Sequence, residues 1–275
     1  MAWQTRGLTR RKLLASSAAL VASARSLASE PQDRIRLPVP ELLDASAGTL
    51  VLDARKGSHA FRPGMPTASF GYSATYLGPT IRFRRGRSAS LSVANRIDRP
   101  TTTHLHGLLI PAVSDGAPHR PVAPGETWRT SFHVDQPAAT AWYHAHPHGE
   151  TGPQVYGGLA GMAIVDDPNG PGSVLPSRYG IDDFPVILQD RALDPLGRAI
   201  YRSDGHAMMM GMRGDTLAVN GAVDPVATVP AGLVRLRILN GANARNFDLA
   251  FEDQRVFHVI AGDCGLLADP VARRT

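Results

Sequence analysis

The sequence predicts an all-β protein built from sandwich domains. Three stretches, at residues 91–96, 128–134 and 234–239, alternate in side-chain character with a period of two, as strands with one buried face do. The chain also contains 27 Gly and 22 Pro, which is typical of many short strands joined by turns. No segment shows the long 3.6-residue period of a helix.

Turn-forming pairs separate the predicted strands. Arg85-Gly86, Asn220-Gly221 and Asn240-Gly241 are examples, since Gly and Asn tolerate the backbone angles that tight turns need. In the second half of the chain the same reasoning predicts four strands, at residues 184–190, 216–220, 234–240 and 257–261.

Residues 1–28 have the composition of an export signal. Arg10-Arg11-Lys12 precedes a short, mildly apolar run, and Ser26-Leu27-Ala28 offers the small residues of a cleavage site. The paired arginines favour a twin-arginine signal, with an ordinary secretory signal as the alternative. We therefore expect the Tat translocase as the export partner and a periplasmic or secreted location.

The charge and hydropathy of the chain exclude other classes of protein. The export segment holds five of the 29 basic residues and none of the 24 acidic ones, so the remaining chain is close to neutral. We therefore do not expect a nucleic-acid-binding protein. The chain has no run of eighteen uncharged apolar residues, so we do not expect a membrane-spanning helix.

Two domains are predicted after the export signal. The first covers residues 33–170 and ends in a stretch rich in turn formers, at 166–172, as linkers are. The second covers residues 180–275. We expect this second domain to be incomplete, because about 95 residues are few for the sandwich that it begins.

The chemistry is concentrated in two histidine pairs, His104-Leu105-His106 and His144-Ala145-His146. Residues i and i+2 of a strand point the same way, so each pair presents two imidazoles on one face. Two such strands side by side would bring four imidazoles together, a suitable set for copper, zinc, iron or nickel. Chance histidines on two exposed strands are the alternative.

A family resemblance indicates which metal. His104-Leu105-His106-Gly107 and Trp142-Tyr143-His144-Ala145-His146 resemble the first two copper-binding motifs of multicopper oxidases. The sequence around these motifs is similar to that of bacterial periplasmic cuprous oxidases, which are laccase-like. The similar stretches are residues 134–140, 158–161, 180–183, 214–217 and 239–245.

The resemblance implies cupredoxin-like Greek-key β-sandwich domains and a trinuclear copper cluster that reduces dioxygen to water. Carried over to this chain, His104 is a type 2 copper ligand, and His106, His144 and His146 are type 3 ligands. These four residues form half of the cluster's histidine shell. Asp115 lies where the family has an acid that orients water or supplies protons; an ordinary turn aspartate is the alternative.

The remaining candidates are weaker. His148 is interpreted as an outer-shell residue or a spectator, and His119 and His133 as structural or exposed. His206 precedes Met208, Met209, Met210 and Met212; thioethers suit Cu(I), but flexible packing is the more common role of clustered methionines.

Cys264 is the single cysteine, and it is not expected to be a type 1 copper ligand. The family places that cysteine between two histidines, whereas Cys264 has no flanking histidine and occupies a position where the family has glycine. We therefore expect a chain without a type 1 site that is inactive alone, and a missing C-terminal portion as its partner.

Three functions remain open at this point. The leading hypothesis is a copper-dependent oxidoreductase for copper tolerance, with Cu(I) or a phenol as electron donor. A non-enzymatic cupredoxin-like cell-division protein and a small periplasmic copper-binding module are the alternatives.

Overall fold

The structure is a computed structural model that describes residues 35–275. The predicted export signal at residues 1–28 lies outside these residues. The strands are, in chain order, β1 (Leu42–Asp44), β2 (Thr49–Ala60), β3 (Pro66–Tyr72), β4 (Thr80–Arg84), β5 (Arg87–Arg96), β6 (His104–His106), β7 (Thr127–Val134), β8 (Ala139–His144), β9 (Ala160–Asp166), β10 (Asp183–Arg191), β11 (Thr216–Val219), β12 (Arg235–Asn240), β13 (Phe257–Gly262) and β14 (Gly265–Arg273).

Two short α-helices accompany these strands, α1 (Thr151–Gly157) and α2 (Gly205–Met210). The sequence predicted neither helix, because each is too short to show a periodic pattern. Among the described residues, no helix has the length and apolar character needed to cross a membrane.

Nine strands form a sandwich of two sheets, with strand orders β1-β4-β9-β8-β6 and β3-β2-β5-β7. The core between them collects the inward residues of the alternating strands, such as Leu91 on β5 and Phe132 on β7. The rings of Phe83 and Phe132 lie 5.7 Å apart across this core. The prediction of an all-β sandwich is therefore confirmed.

A third sheet, in the order β11-β10-β12, is joined to the sandwich by a second apolar cluster. Ile187 of β10 and Ala218 of β11 pack there with Met162 and Ile164 of β9 and with Phe61. A short 3-10 helix, Pro171–Val174, begins within the predicted linker, and β13 and β14 form a separate hairpin.

The alternation predicted for β12 is present, but its polar face is the one turned inward. Arg235 and Arg237 are buried, whereas Leu236 and Ile238 are 46% and 44% exposed. The reason is an ion pair: the guanidinium of Arg237 donates to both carboxylate oxygens of Asp183 at 2.8–3.0 Å.

The outer face of the third sheet is consequently apolar. Leu217, Leu236 and Ile238 are exposed on it, and the strand register places them beside the half-buried Val186 and Leu188. Scattered exposed apolar residues are ordinary, whereas a contiguous group on one sheet face is not.

His59 is a half-buried histidine near the junction between the sandwich and the third sheet. Its ring stacks on Tyr76 at 4.5 Å, and its Nε2 lies 2.7 Å from the carbonyl oxygen of Gly221. Burial lowers the pKa of His59, and the positive charge of Arg191 adds to this, although the Gly221 carbonyl opposes it. Folded His59 is therefore neutral.

The first prediction follows from this lowered pKa. At a pH below 6.5, the usual histidine pKa, His59 is protonated in the unfolded chain but stays neutral in the folded chain until the pH is lower. The free energy of unfolding should therefore fall as pH drops below about 6.5. His59→Gln should make this decline shallower in urea titrations between about pH 7.5 and 5. A slope identical to that of the wild type would contradict the assignment.

Candidate metal centre

The two histidine pairs lie on adjacent strands. β6 pairs with β8 in antiparallel register, with His104 opposite His144 and His106 opposite Trp142. Because alternate residues of a strand share a face, the rings of His104, His106, Trp142 and His144 lie on one face of the β6–β8 pair. The convergence of the two His-x-His motifs that the sequence predicts is present in the structure.

The ligand atoms of His104, His106 and His144 all lie within 4.8 Å of one another. His146 follows the end of β8, and its ring is centred 5.4 Å from those of His104 and His144. His106 Nδ1 approaches His144 Nε2 to 3.3 Å. The four imidazoles therefore form one compact group.

Three of the imidazoles have a partner at Nδ1, so Nε2 is the nitrogen that can bind a metal. His104 Nδ1 lies 3.0 Å from the Asp115 carboxylate, and His144 Nδ1 lies 2.9 Å from the Ala145 carbonyl oxygen. Both partners are acceptors, so Nδ1 carries the proton and Nε2 presents its lone pair. Such outer partners fix the tautomer and orientation of metal-binding histidines.

His146 is held in the same way by α1. Its Nδ1 lies 3.2 Å from the Thr151 hydroxyl, which itself donates to the Pro147 carbonyl oxygen at 3.0 Å. Because that hydroxyl proton is already used, Thr151 accepts from His146 Nδ1. Thr151 was not singled out from the sequence, since nothing local to it marks contact with a histidine five residues earlier.

A buried polar network supports the strands from behind. The His146 amide donates to the Thr102 hydroxyl at 2.8 Å. The fully buried Gln154 of α1 accepts from the Thr101 hydroxyl at 2.7 Å and donates to the Pro100 carbonyl oxygen at 2.9 Å. Satisfied networks of this kind fix local geometry.

Electrostatics keep two of the imidazoles neutral. Burial lowers the pKa of His144 to about 3, although the Ala145 carbonyl opposes this shift. Burial also lowers the pKa of His106, and the neighbouring His104 adds to the effect. Metal binding requires unprotonated imidazole, so neither residue has to lose a proton to bind a metal at neutral pH.

The other candidates lie outside this group. His119, His133 and His148 are exposed, and His148 occupies the turn before α1. The Cys264 thiol lies 3.4 Å from the Asp263 carboxylate, and burial together with Asp263 raises its pKa to about 11. In the segment from His206 to Met212, Met209 is 86% exposed, whereas Met212 is buried.

The donor set fits a borderline or soft divalent metal. Neutral imidazoles are good ligands for copper and zinc, whereas magnesium and calcium prefer oxygen. Three converging ligand atoms, two of them on rings whose other nitrogen is held by an acceptor, suit such an ion because each offers a lone pair.

Comparison with known proteins agrees with this chemistry. Residues 53–170 match the family model of multicopper oxidases. The laccase-like multicopper oxidase CueO of Ochrobactrum sp. superimposes with a TM-score of 0.83 at 43% identity, over 86% of this chain and 54% of that one. The McoA multicopper oxidase of Aquifex aeolicus gives a TM-score of 0.80 at 34% identity, over 88% and 54%.

Curated relatives carry a different name. The cell division protein FtsP of Escherichia coli (strain K12) is 41% identical over 268 residues, which cover 96% of this chain and 56% of FtsP. FtsP of Xenorhabdus nematophila is 42% identical over 238 residues, covering 86% and 50%. The chain thus spans about half the length of the curated relatives it matches.

Proposed function

Since this chain belongs to the multicopper oxidase family, we propose that it supplies half of the histidine shell of a trinuclear copper cluster in an oxidoreductase. The complete enzyme would oxidise Cu(I) or phenolic donors, reduce dioxygen to water and serve copper tolerance. The observation that carries the proposal is the convergence of His104, His106 and His144 within 4.8 Å.

Each histidine has a stated role in this proposal. His104 would bind the type 2 copper, and His106, His144 and His146 the type 3 coppers. When bound, the copper ions would transfer electrons to dioxygen. The protein's own contribution is to present oriented imidazoles from paired strands, which reduces the entropic cost of binding.

Asp115 would act on His104 and on protons near it. Its carboxylate accepts from His104 Nδ1 at 3.0 Å and is about one-fifth exposed. A carboxylate in this position holds the tautomer of the imidazole and can take up a proton from the solvent side. We assign it the role of an orienting and proton-supplying group.

We also propose export through the Tat translocase to the periplasm, on the strength of Arg10-Arg11. Because the chain contains no His-Cys-His sequence, we expect the isolated chain to bind copper without oxidase turnover. A type 1 site and the other half of the histidine shell would have to come from a complementary portion.

Copper titration tests the proposal. We expect the isolated chain to bind copper through these residues, and the variant His104→Ala, His106→Ala, His144→Ala, His146→Ala to lose that binding. His119→Ala with His133→Ala is the matched control, because it removes two exposed histidines outside the group, and it should bind copper as the wild type does. Circular dichroism checks folding.

Equal copper stoichiometry and affinity in the wild type and the folded fourfold variant would refute the assignment. Copper would then bind elsewhere, with the segment from His206 to Met212 as the next candidate.

A non-enzymatic role in cell division is the second candidate, because FtsP proteins are about 41% identical to this chain. The two functions separate in a strain lacking the gene. If cell division fails and the fourfold histidine variant restores it fully, the division role holds independently of copper. Copper sensitivity that only the wild type corrects would favour the oxidase.

A further inference from the structure

Trp142 lies opposite His106 in the β6–β8 pair and completes a group of four rings with His104, His106 and His144. It lies on β8 two residues before His144, so both side chains share a face. The register places it between His106 on β6 and Met162 on β9. The indole therefore stands between two imidazoles of the site and the apolar cluster that joins the third sheet to the sandwich.

The indole covers one face of His144. The two ring centroids are 3.9 Å apart and the ring planes are inclined by 20°, which is a stacked arrangement. The indole also lies 5.2 Å from the ring of His106. Stacked aromatic rings attract each other beyond the area that they bury.

The indole is itself held in place from the other side. Trp142 packs against the cluster that contains Met162 and Ile164 of β9. Met162 and Ile164 are fully buried, and close-packed interiors leave side chains little freedom to move. The indole is therefore a fixed wall, against which the His144 ring rests.

Such a wall restricts the rotation that hydrogen bonding leaves open. The χ2 torsion of histidine is broad, and a single bond from His144 Nδ1 to the Ala145 carbonyl does not fix the plane of the ring. The stacked indole does so, and it thereby sets the direction of His144 Nε2, which lies 3.3 Å from His106 Nδ1.

We propose that Trp142 is a positioning residue whose indole fixes the imidazole plane of His144 for copper. The proposal rests on the proposed copper site. Loss of an outer partner of a metal-binding histidine typically reduces metal affinity about 10- to 100-fold, and we expect Trp142→Leu to have an effect of this size.

Two variants separate stacking from simple volume. Trp142→Leu removes the aromatic ring, whereas Trp142→Phe keeps one. Titration with Cu(II) should give an affinity about 10- to 100-fold lower for the Leu variant, and its electron paramagnetic resonance spectrum should become a mixture of species. The Phe variant should retain most of the affinity and the spectrum of the wild type. Wild-type affinity and spectrum in a folded Leu variant would overturn the proposal.

A metal-free measurement keeps the proposal testable even if the chain binds no copper. In proton NMR, the ring current of the stacked indole should shift the His144 ring resonances in the wild type. Trp142→Leu should abolish this shift, and Trp142→Phe should reduce it. An unchanged shift in the folded Trp142→Leu variant would rule out the stacking on which positioning by Trp142 rests, whereas absence of copper binding in the wild type would refute only the proposed function.

Discussion

Replacing Asp183 with Ala is expected to lower the free energy of unfolding by about 3–5 kcal/mol. The Asp183 and Arg237 side chains are 1% and 3% exposed, so the substitution leaves a buried guanidinium without its counter-charge. Arg235 is buried beside it, and burial together with the charge of Arg237 lowers the pKa of Arg235 to about 10. The variant would therefore bury two arginines without the carboxylate that balances them.

The pair also connects the third sheet to the sandwich. Arg237 donates from Nη1 to the Thr140 hydroxyl of β8 at 3.0 Å, so its reorientation would disturb the strand that carries His144. We expect Asp183→Ala to weaken copper binding as well as stability, although Asp183 contacts no histidine.

Urea unfolding with two controls checks this prediction. Asp183→Leu combined with Arg237→Met removes both charges and should recover most of the lost stability, since well-packed apolar residues often replace a buried ion pair without cost. Lys56→Ala with Asp98→Ala removes an exposed pair and should have no measurable effect. A single Asp183→Ala variant as stable as the wild type would show that the pair contributes little.

The second large effect is expected from Gly158→Ala, at the end of α1. Gly158 has a φ of +120°, and a Cβ there would lie 2.3 Å from the Phe70 carbonyl oxygen and 2.6 Å from the Tyr76 ring. Backbone strain costs about 1–3 kcal/mol and overpacking about 1–3 kcal/mol. Because the backbone oxygen cannot give way cheaply, we expect a combined loss of about 2–6 kcal/mol.

Gly158→Ala should also lower the copper affinity, because a displaced α1 would move Thr151, the hydrogen-bond partner of His146. Gly125→Ala is the matched control: its φ is +85°, but nothing lies within 4 Å of the added Cβ. It should cost only the backbone term, about 1–2 kcal/mol, and leave copper affinity unchanged. Equal losses of stability in both variants would show that the crowding at Gly158 is relieved by small shifts.

The sequence predicts what local patterns encode. The strand predicted at residues 184–190 corresponds to β10, and that at 257–261 to β13. The alternation of His104 with His106, and of His144 with His146, was enough to predict a shared face, because period two is a property of any strand. The identity of the metal needed the family resemblance.

What the sequence could not predict depends on partners distant in the chain. Gly152, Pro153 and Gly157 hide α1, because these residue types disfavour helices. The inward arginines of β12 look like a solvent-facing side until Asp183, some fifty residues away, is placed opposite them. The contact between Trp142 and His144 is close in sequence, but its stacked geometry depends on packing against β9.

The register between β6 and β8 has a consequence for how the chain tolerates insertions and deletions during evolution. Insertion or deletion of one residue inside β8 would shift its register against β6 and turn side chains such as Trp142 to the opposite face of the sheet. The imidazole of His144 would then no longer lie opposite His104. The connection from residue 107 to 126 is different, because it is largely irregular and runs over to the other sheet. Homologous chains should therefore vary in length mainly in the part of this connection that follows Asp115, and keep a constant number of residues from Trp142 to His146.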